Sequence, residues 1–401
     1  MVATPFDGAS PLLKIYFKFR KEAGIRCGIF IAMFDNDILL GKLPDVLTFS
    51  DGTKVKSAED WKRRKEEFYD LVIDTEYGGM PPEPEVFKVD KVCMGFNREF
   101  DTYRITAGTK EKQITFTMHV LFPKKSKGED ELEKFPVILT GDGCFRDCTT
   151  DVLNEGYRRG YAIAIFDRTE LAPDMYNTDR TLGIYSIYPD FPFCAISAWA
   201  WGYHRCVDAL YQIPDADTEH IAISGHSRGG KTVLLAGATD ERIKYINPNC
   251  SGTHGCGCYR YISHDNLESG DKRSEPLCYL FGIVPYWLGP KLKKYVGHET
   301  DLPYDMHFVK SLIAPRYLLE TSAYDDTWAN PRGSYLTFLE AKKVYKLLGV
   351  EENAESWYRT GGHRHELPEF RALMDFIDRK RGIPAENTDF ITCDPYPGLF
   401  K

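Results

Sequence analysis

Three short apolar runs constrain this chain more than any other feature. Residues 135–140 (FPVILT), 161–166 (YAIAIF) and 221–224 (IAIS) are continuous, each closed by Gly or a charged residue. A strand with one wet face alternates polar and apolar residues; a continuous run signals burial on both faces, as in a parallel sheet. Helical patterns fill the gaps at 149–159, 194–211 and 229–238. Further on, 316–321 (RYLLET) and 356–360 are expected strands, and 333–348 and 367–379 expected helices. Strand alternating with helix predicts a mostly parallel sheet covered by helices on both faces, a three-layer α/β sandwich. Residues 114–122 (ITFTMHVLF) alternate, as a half-buried strand does.

One of those runs leads into the strongest chemical signal. After IAIS comes Gly225-His226-Ser227-Arg228-Gly229, then a helical stretch. Gly-x-Ser-x-Gly between a buried strand and a helix is the setting of a nucleophile elbow, which holds a serine exposed at the carboxyl end of a sheet. A serine hydroxyl is a weak nucleophile and needs a base beside it, oriented by an acid. In α/β-hydrolases the acid and then the histidine follow the serine along the chain. Asp325 and Asp326 come just after the 316–321 strand, and His363 and His365 follow Gly361-Gly362 after the 356–360 strand. Charge alone does not choose within either pair. His226, His204 and His307 fit structural places better.

The flanking regions are less regular. Ser57 ahead of Trp61 and a charged run to Tyr69 predicts a helix with Ser57 as N-cap and Asp60 as its reciprocal partner. Trp61, Phe68 and Leu71–Val72 would share one stripe. GGMPPEP at 78–84 is a break. Residues 1–90 are therefore expected to form an N-terminal extension packed on the core, and 91–401 the catalytic part of a single domain. Residues 250–310, rich in Gly and Tyr, are expected as loops and short helices over one end of the sheet.

Composition removes several classes of function. The net charge is 51 − 59 = −8, so no excess of cations is available to neutralise phosphates, and no nucleic-acid partner is expected. No apolar run approaches the ~20 residues of a membrane span; the longest near the start is 28–34. The start has no basic segment, apolar core and cleavage site in that order, so a cytoplasmic protein is expected, or a secreted one whose sequence has been shortened. Eleven unevenly spaced cysteines suggest reduced thiols rather than a disulfide scaffold. Cys250, His254, Cys256 and Cys258 do not match structural zinc spacing, and neither metal nor cofactor is expected.

Beyond the elbow, the chain resembles the glucuronoyl esterase family of carbohydrate esterases, family 15, in its bacterial-type branch. Leu43-Pro44-Asp45, Trp61-Lys-Arg-Arg64 and Tyr77-Gly78 are similar to the family's N-terminal segment. Gly225-x-Ser227-Arg228-x-Gly230-Lys231 matches its distinguishing motif, and Asp240-Glu241-Arg242, Ser251-Gly252, Ala314-Pro315-Arg316, Asp326-x-Trp328 and Gly362-His363 continue it. The resemblance implies an α/β-hydrolase that cleaves esters of 4-O-methyl-glucuronic acid in glucuronoxylan–lignin linkages. It implies Ser227 as nucleophile, His363 as base, Arg228 as oxyanion support, Lys231 on sugar hydroxyls and Trp328 lining the sugar site. Fungal members carry a catalytic Glu where this chain has Cys250, so the acid would come from the strand after Pro315, as Asp326. Fungal members also pair two cysteines where this chain has His226 and Glu366, so that disulfide is absent. An acetyl or acetylxylan esterase of the same fold and a catalytically weak carbohydrate-binding relative are the competing readings.

Overall fold

The computed structural model describes residues 37–94, 100–123, 134–175, 180–267, 270–386 and 394–400. The 28–34 run and most of the chain start lie outside them.

The continuous runs become the middle of one nine-stranded sheet. In chain order its strands are β1 (Val86–Cys93), β2 (Asp101–Gly108), β3 (Gln113–Leu121), β4 (Phe135–Thr140), β5 (Ala162–Phe166), β6 (Ala216–His226), β7 (Tyr245–Asn249), β8 (Tyr317–Ala323) and β9 (Ala354–Arg359). Their spatial order is β9-β8-β7-β6-β4-β5-β3-β2-β1. From β9 to β5 all neighbours are parallel. The alternating β3 joins antiparallel to β5, and β2 and β1 complete a meander. β1 straddles residue 90 and pairs along its length with β2.

Helices cover both faces, as the α/β-hydrolase reading expects. Ile138, Ile163, Ala222 and Leu319 point to one side, into a cluster with Val152 of α2 (Thr150–Arg158) and Phe370, Leu373 and Phe376 of α8 (Leu367–Lys380). Their neighbours Val137, Leu139, Ile221 and Ile223 point to the other side. There they meet α3 (Ala195–Leu210), α4 (Arg228–Thr239), α6 (Met306–Ile313) and α7 (Pro331–Leu347). Each strand is thus apolar on both faces because each face meets helices.

Helix α1 (Ala58–Tyr77) begins as expected, with Ser57 Oγ accepting from Asp60 N at 3.0 Å. Its reciprocal bond is displaced by one residue: the Asp60 carboxylate accepts from Lys56 N. Trp61, Phe68 and Val72 are buried, whereas Leu71 is exposed and Ile73 takes its place. Phe68 meets Phe308 of α6 edge-on at 4.9 Å, which docks α1 on the larger core. The 250–310 stretch, expected as loops and short helices, also holds strands: Tyr261–Ile262 pairs with Ile38–Leu39, and His264–Leu267 with Gly270–Arg273, ahead of short helix α5 (Leu277–Ile283) and the start of α6.

Strands β1, β2 and β7 have no sequence signal of the kind that found the others. β1 and β2 carry Lys, Asp and Arg at the half-wet edge of the sheet. β7 reads Tyr-Ile-Asn-Pro-Asn, yet every residue in it is buried. Proline and asparagine are poor strand formers. The asparagines are tolerated because their amides are satisfied across the sheet: Asn247 Nδ2 donates to Leu319 O at 2.8 Å, and its Oδ1 accepts from Ser224 Oγ at 2.8 Å.

Candidate active site

The sheet brings the candidate residues to its carboxyl edge. β6 ends at His226, α4 begins at Arg228, and Ser227 is the single residue between them. Ser227 has φ 56° and ψ −117°, a conformation that costs a residue with a Cβ about 1–3 kcal/mol. The surroundings enforce it. Ser227 N donates to Asn249 O at 2.9 Å, and Lys231 N to Ser227 O at 3.0 Å. The flanking glycines are required by crowding: a Cβ on Gly225 would lie 2.5 Å from Gly229 O, and one on Gly229 2.3 Å from both carboxylate oxygens of Asp142.

The loops after β8 and β9 carry the candidate acid and base. Asp326, buried just after β8, accepts from His363 Nδ1 at 2.6 Å. That bond puts the proton on Nδ1 and leaves the Nε2 lone pair of His363 available. The two open pairs separate cleanly. Asp325 is exposed, and its carboxylate accepts from Gly361 N at 2.7 Å. His365 is buried, stacked on Phe370 with ring centroids 4.4 Å apart, and its Nε2 lies 3.3 Å from Ser224 Oγ. His363 is more open, with 39% of its side chain exposed, and its ring lies 4.2 Å from that of His226, next to the serine.

Several residues at this edge carry no motif. Asp142, after β4, is fully buried against Arg168 and accepts from His226 N at 2.7 Å, so it braces the elbow from below. Burial pushes its carboxyl up, and Arg168 opposes that shift. Gly-Asp-Gly directly after FPVILT was the one available cue. Cys250 lies beside Asp326: its sulfur, an Asp326 oxygen and a His363 nitrogen are all within 4.8 Å of one another. Burial and the Asp326 charge push its thiol well above its ordinary range. His254, Cys256 and Cys258 diverge: His254 faces Glu76 at 2.6 Å and Trp287 O at 3.0 Å, and Cys258 donates to Asp305 at 3.4 Å. All described cysteines are free thiols.

Comparisons with known proteins point the same way. The family model described as glucuronyl esterase of fungi matches residues 105–349. A 4-O-methyl-glucuronoyl methylesterase of Phanerochaete carnosa is 30% identical over 367 residues, covering 89% of this chain and 85% of its own. The chain belongs to the glucuronoyl esterase family. Among solved structures, a carbohydrate esterase family 15 glucuronoyl esterase from Caldicellulosiruptor kristjansonii has a TM-score of 0.77 at 30% identity, over 93% of this chain and 97% of that one. The glucuronoyl esterase catalytic domain from Hypocrea jecorina has a TM-score of 0.72 at 26% identity, over 88% and 93%. The family is one of carboxylic ester hydrolases with the α/β-hydrolase fold.

In this family member the cations next to Ser227 have protein partners. Arg228 Nη1 donates to Asp174 at 3.0 Å, and its guanidinium lies 4.7 Å from the Trp287 ring centre. Asp174 is itself held by Tyr286 OH at 3.0 Å and Trp287 Nε1 at 3.2 Å. About a third of the Arg228 side chain stays exposed. Lys231 differs: it is buried, and its three ammonium hydrogens go to Ser251 O, Thr253 O and Glu275. Two cations at the start of α4 oppose the helix dipole, and Asp174 and Glu275 offset that opposition without any ligand. Lys231 meets a sugar hydroxyl only by giving up one of those bonds. Trp328 is the outermost of the set, half-exposed, with the Tyr279 ring edge-on at 4.8 Å.

Proposed function

We propose that this esterase hydrolyses esters of 4-O-methyl-glucuronic acid, of the kind that joins glucuronoxylan to lignin alcohols, through Ser227, His363 and Asp326. The observation that carries the mechanism is the 2.6 Å bond between Asp326 and His363 Nδ1, beside an elbow that forces Ser227 to positive φ. Ser227 Oγ attacks the ester carbonyl as His363 Nε2 takes its proton. The oxyanion is met by the backbone N–H of Arg228, the residue after the nucleophile, and by the Arg228 guanidinium on its Trp287 platform. The alcohol leaves with the proton from His363, and water, activated by the same imidazole, releases the uronate from Ser227. Asp326, buried and anionic, stabilises the imidazolium at each step. Trp328 lines the sugar. The substrate assignment is supported by the relatives' names, and by Arg228 and Trp328 at the edge of the site.

The test is turnover of methyl 4-O-methyl-glucuronate against p-nitrophenyl acetate. Preference for the uronate supports the assignment; preference for the acetate makes the enzyme an acetyl esterase; turnover of neither leaves a carbohydrate-binding relative. Ser227→Ala and His363→Ala are each expected to lower kcat on the order of 10⁴-fold, and Asp326→Asn to cost far more than Asp325→Asn. An active His363→Ala with an inactive His365→Ala would move the base.

A further inference from the structure

The end of β7 touches both the nucleophile elbow and the histidine loop. Asn249, fully buried, receives Ser227 N at its carbonyl, as above, and uses its side chain in three directions. Nδ2 lies 2.7 Å from Arg364 O and 2.8 Å from His226 Nδ1, and Oδ1 accepts from Thr321 Oγ1 at 2.9 Å. A carbonyl only accepts, so the Arg364 contact fixes which end of the amide is nitrogen. With a donor facing it, His226 Nδ1 must offer its lone pair. The imidazole is then neutral, with its proton on Nε2; the charged form would set one N–H against another.

We propose that Asn249 is a positioning residue for this hydrolysis: its carboxamide ties the His363 loop to the elbow and keeps His226 uncharged beside the base. This rests on His363 being that base. The His226 ring lies 4.2 Å from His363 and 5.8 Å from His365. When His363 takes the serine proton it becomes a cation, and a charged His226 would oppose that step directly.

The groups around His226 agree. From the loop after β4, Asp142 is engaged by the His226 backbone N–H and by Arg168. From the loop after β9 come His363, bonded to Asp326, and His365, 3.6 Å from Asp147. Arg359 ends β9. Burial first, then His363, His365 and Arg359, push the His226 imidazole down to about 2, against an opposing contact with the Asn249 backbone.

Two substitutions test the holding and the tuning. Asn249→Ala removes both the tie and the donor that faces Nδ1; kcat is expected to fall about 10- to 100-fold with KM little changed, and the acid limb of the pH–rate profile to gain a second ionisation. Asn249→Asp puts a carboxylate against Nδ1, which lets His226 protonate, so a second ionisation is expected on that limb. Wild-type kcat in both variants, or the same one-ionisation profile in both, would overturn the proposal. The imidazole ¹⁵N spectrum of the wild-type enzyme tests it without relying on a variant's folding. His226 signals, identified by their loss in His226→Gln, are expected to show an unprotonated Nδ1 from about pH 5 to about pH 8; a protonated Nδ1 or a titration there would overturn it. An active His363→Ala would remove the base assignment itself, whereas an inactive His363→Ala beside unaltered Asn249 variants would sink only the role of Asn249.

Discussion

At the scale of single residues, adjacent side chains have been given opposite tasks. Asp325 faces water and closes a turn through Gly361, while Asp326 is 4% exposed and faces the imidazole. Lys231 is the residue whose chemistry the structure redirects most. A lysine beside a nucleophile suggests a sugar contact, but this ammonium is buried against Glu275 at 2.7 Å with two carbonyls completing its shell. Burial pushes the Glu275 carboxyl up, and Lys231 opposes that shift. Lys231→Met would leave the carboxylate buried without its cation, at a cost of about 3–5 kcal/mol. The variant is expected to melt earlier and to lose activity on methyl glucuronate and p-nitrophenyl acetate alike. A rise in KM confined to the uronate would show that the ammonium does leave Glu275 for substrate.

At the scale of elements, α6 carries a histidine whose charged form the fold disfavours. His307 Nε2 donates to Pro44 O at 2.8 Å, which ties α6 to the segment before α1, and its Nδ1 is buried without a hydrogen-bond partner. Burial pushes the imidazole down to about 4, with Asp305 opposing. In the unfolded chain the same group binds a proton near ~6.5. The unfolded state therefore holds more protons between those values, and stability is lost as pH falls from about 6.5 towards about 4. Urea denaturation at neutral and acid pH should show it: His307→Gln, which keeps a donor for Pro44 but cannot titrate, is expected to lose about 3 kcal/mol less than wild type over that window. Parallel losses would mean that His307 does not contribute to the acid response.

At the scale of the whole molecule, both ends of the described chain are fastened to the same side. Asp37 receives Arg332 of α7 through two bonds at 2.8 and 2.9 Å, Tyr261 OH at 2.5 Å and His264 N at 2.7 Å. Phe400 packs on Tyr261 and Tyr335, and Tyr396 on Tyr324 and Tyr358. Asp37 and Phe400 thereby reach α7 through Arg332 and Tyr335, and Tyr396 packs beside the ends of β8 and β9. Asp37→Ala would remove the carboxylate that receives two bonds from a mostly buried guanidinium, so a loss of about 1–3 kcal/mol is expected. It should appear as a lower Tm with kcat near wild type at moderate temperature. Unchanged Tm would show that the Asp37 carboxylate is not what holds Arg332 in place.

What the sequence determined by itself was local. Continuous runs such as FPVILT required burial on both faces, and Gly225, whose Cβ would lie 2.5 Å from Gly229 O, required a turn that brings α4 against β6; both are patterns within a few residues of sequence. The Asp325–Asp326 and His363–His365 choices were open because neighbours share composition, and only the direction in which each leaves its strand decides between them. β7 was silent because its asparagines owe their place to partners on β6 and β8, 23 to 74 residues away. Asp142 and Asn249 likewise have roles set by strand order: β4 and β7 flank β6 in space although β5 follows β4 in the chain. Tertiary structure decided those roles, because a buried polar group must find its partner wherever the sheet delivers one, and the sheet delivers it by spatial neighbourhood rather than by position along the sequence.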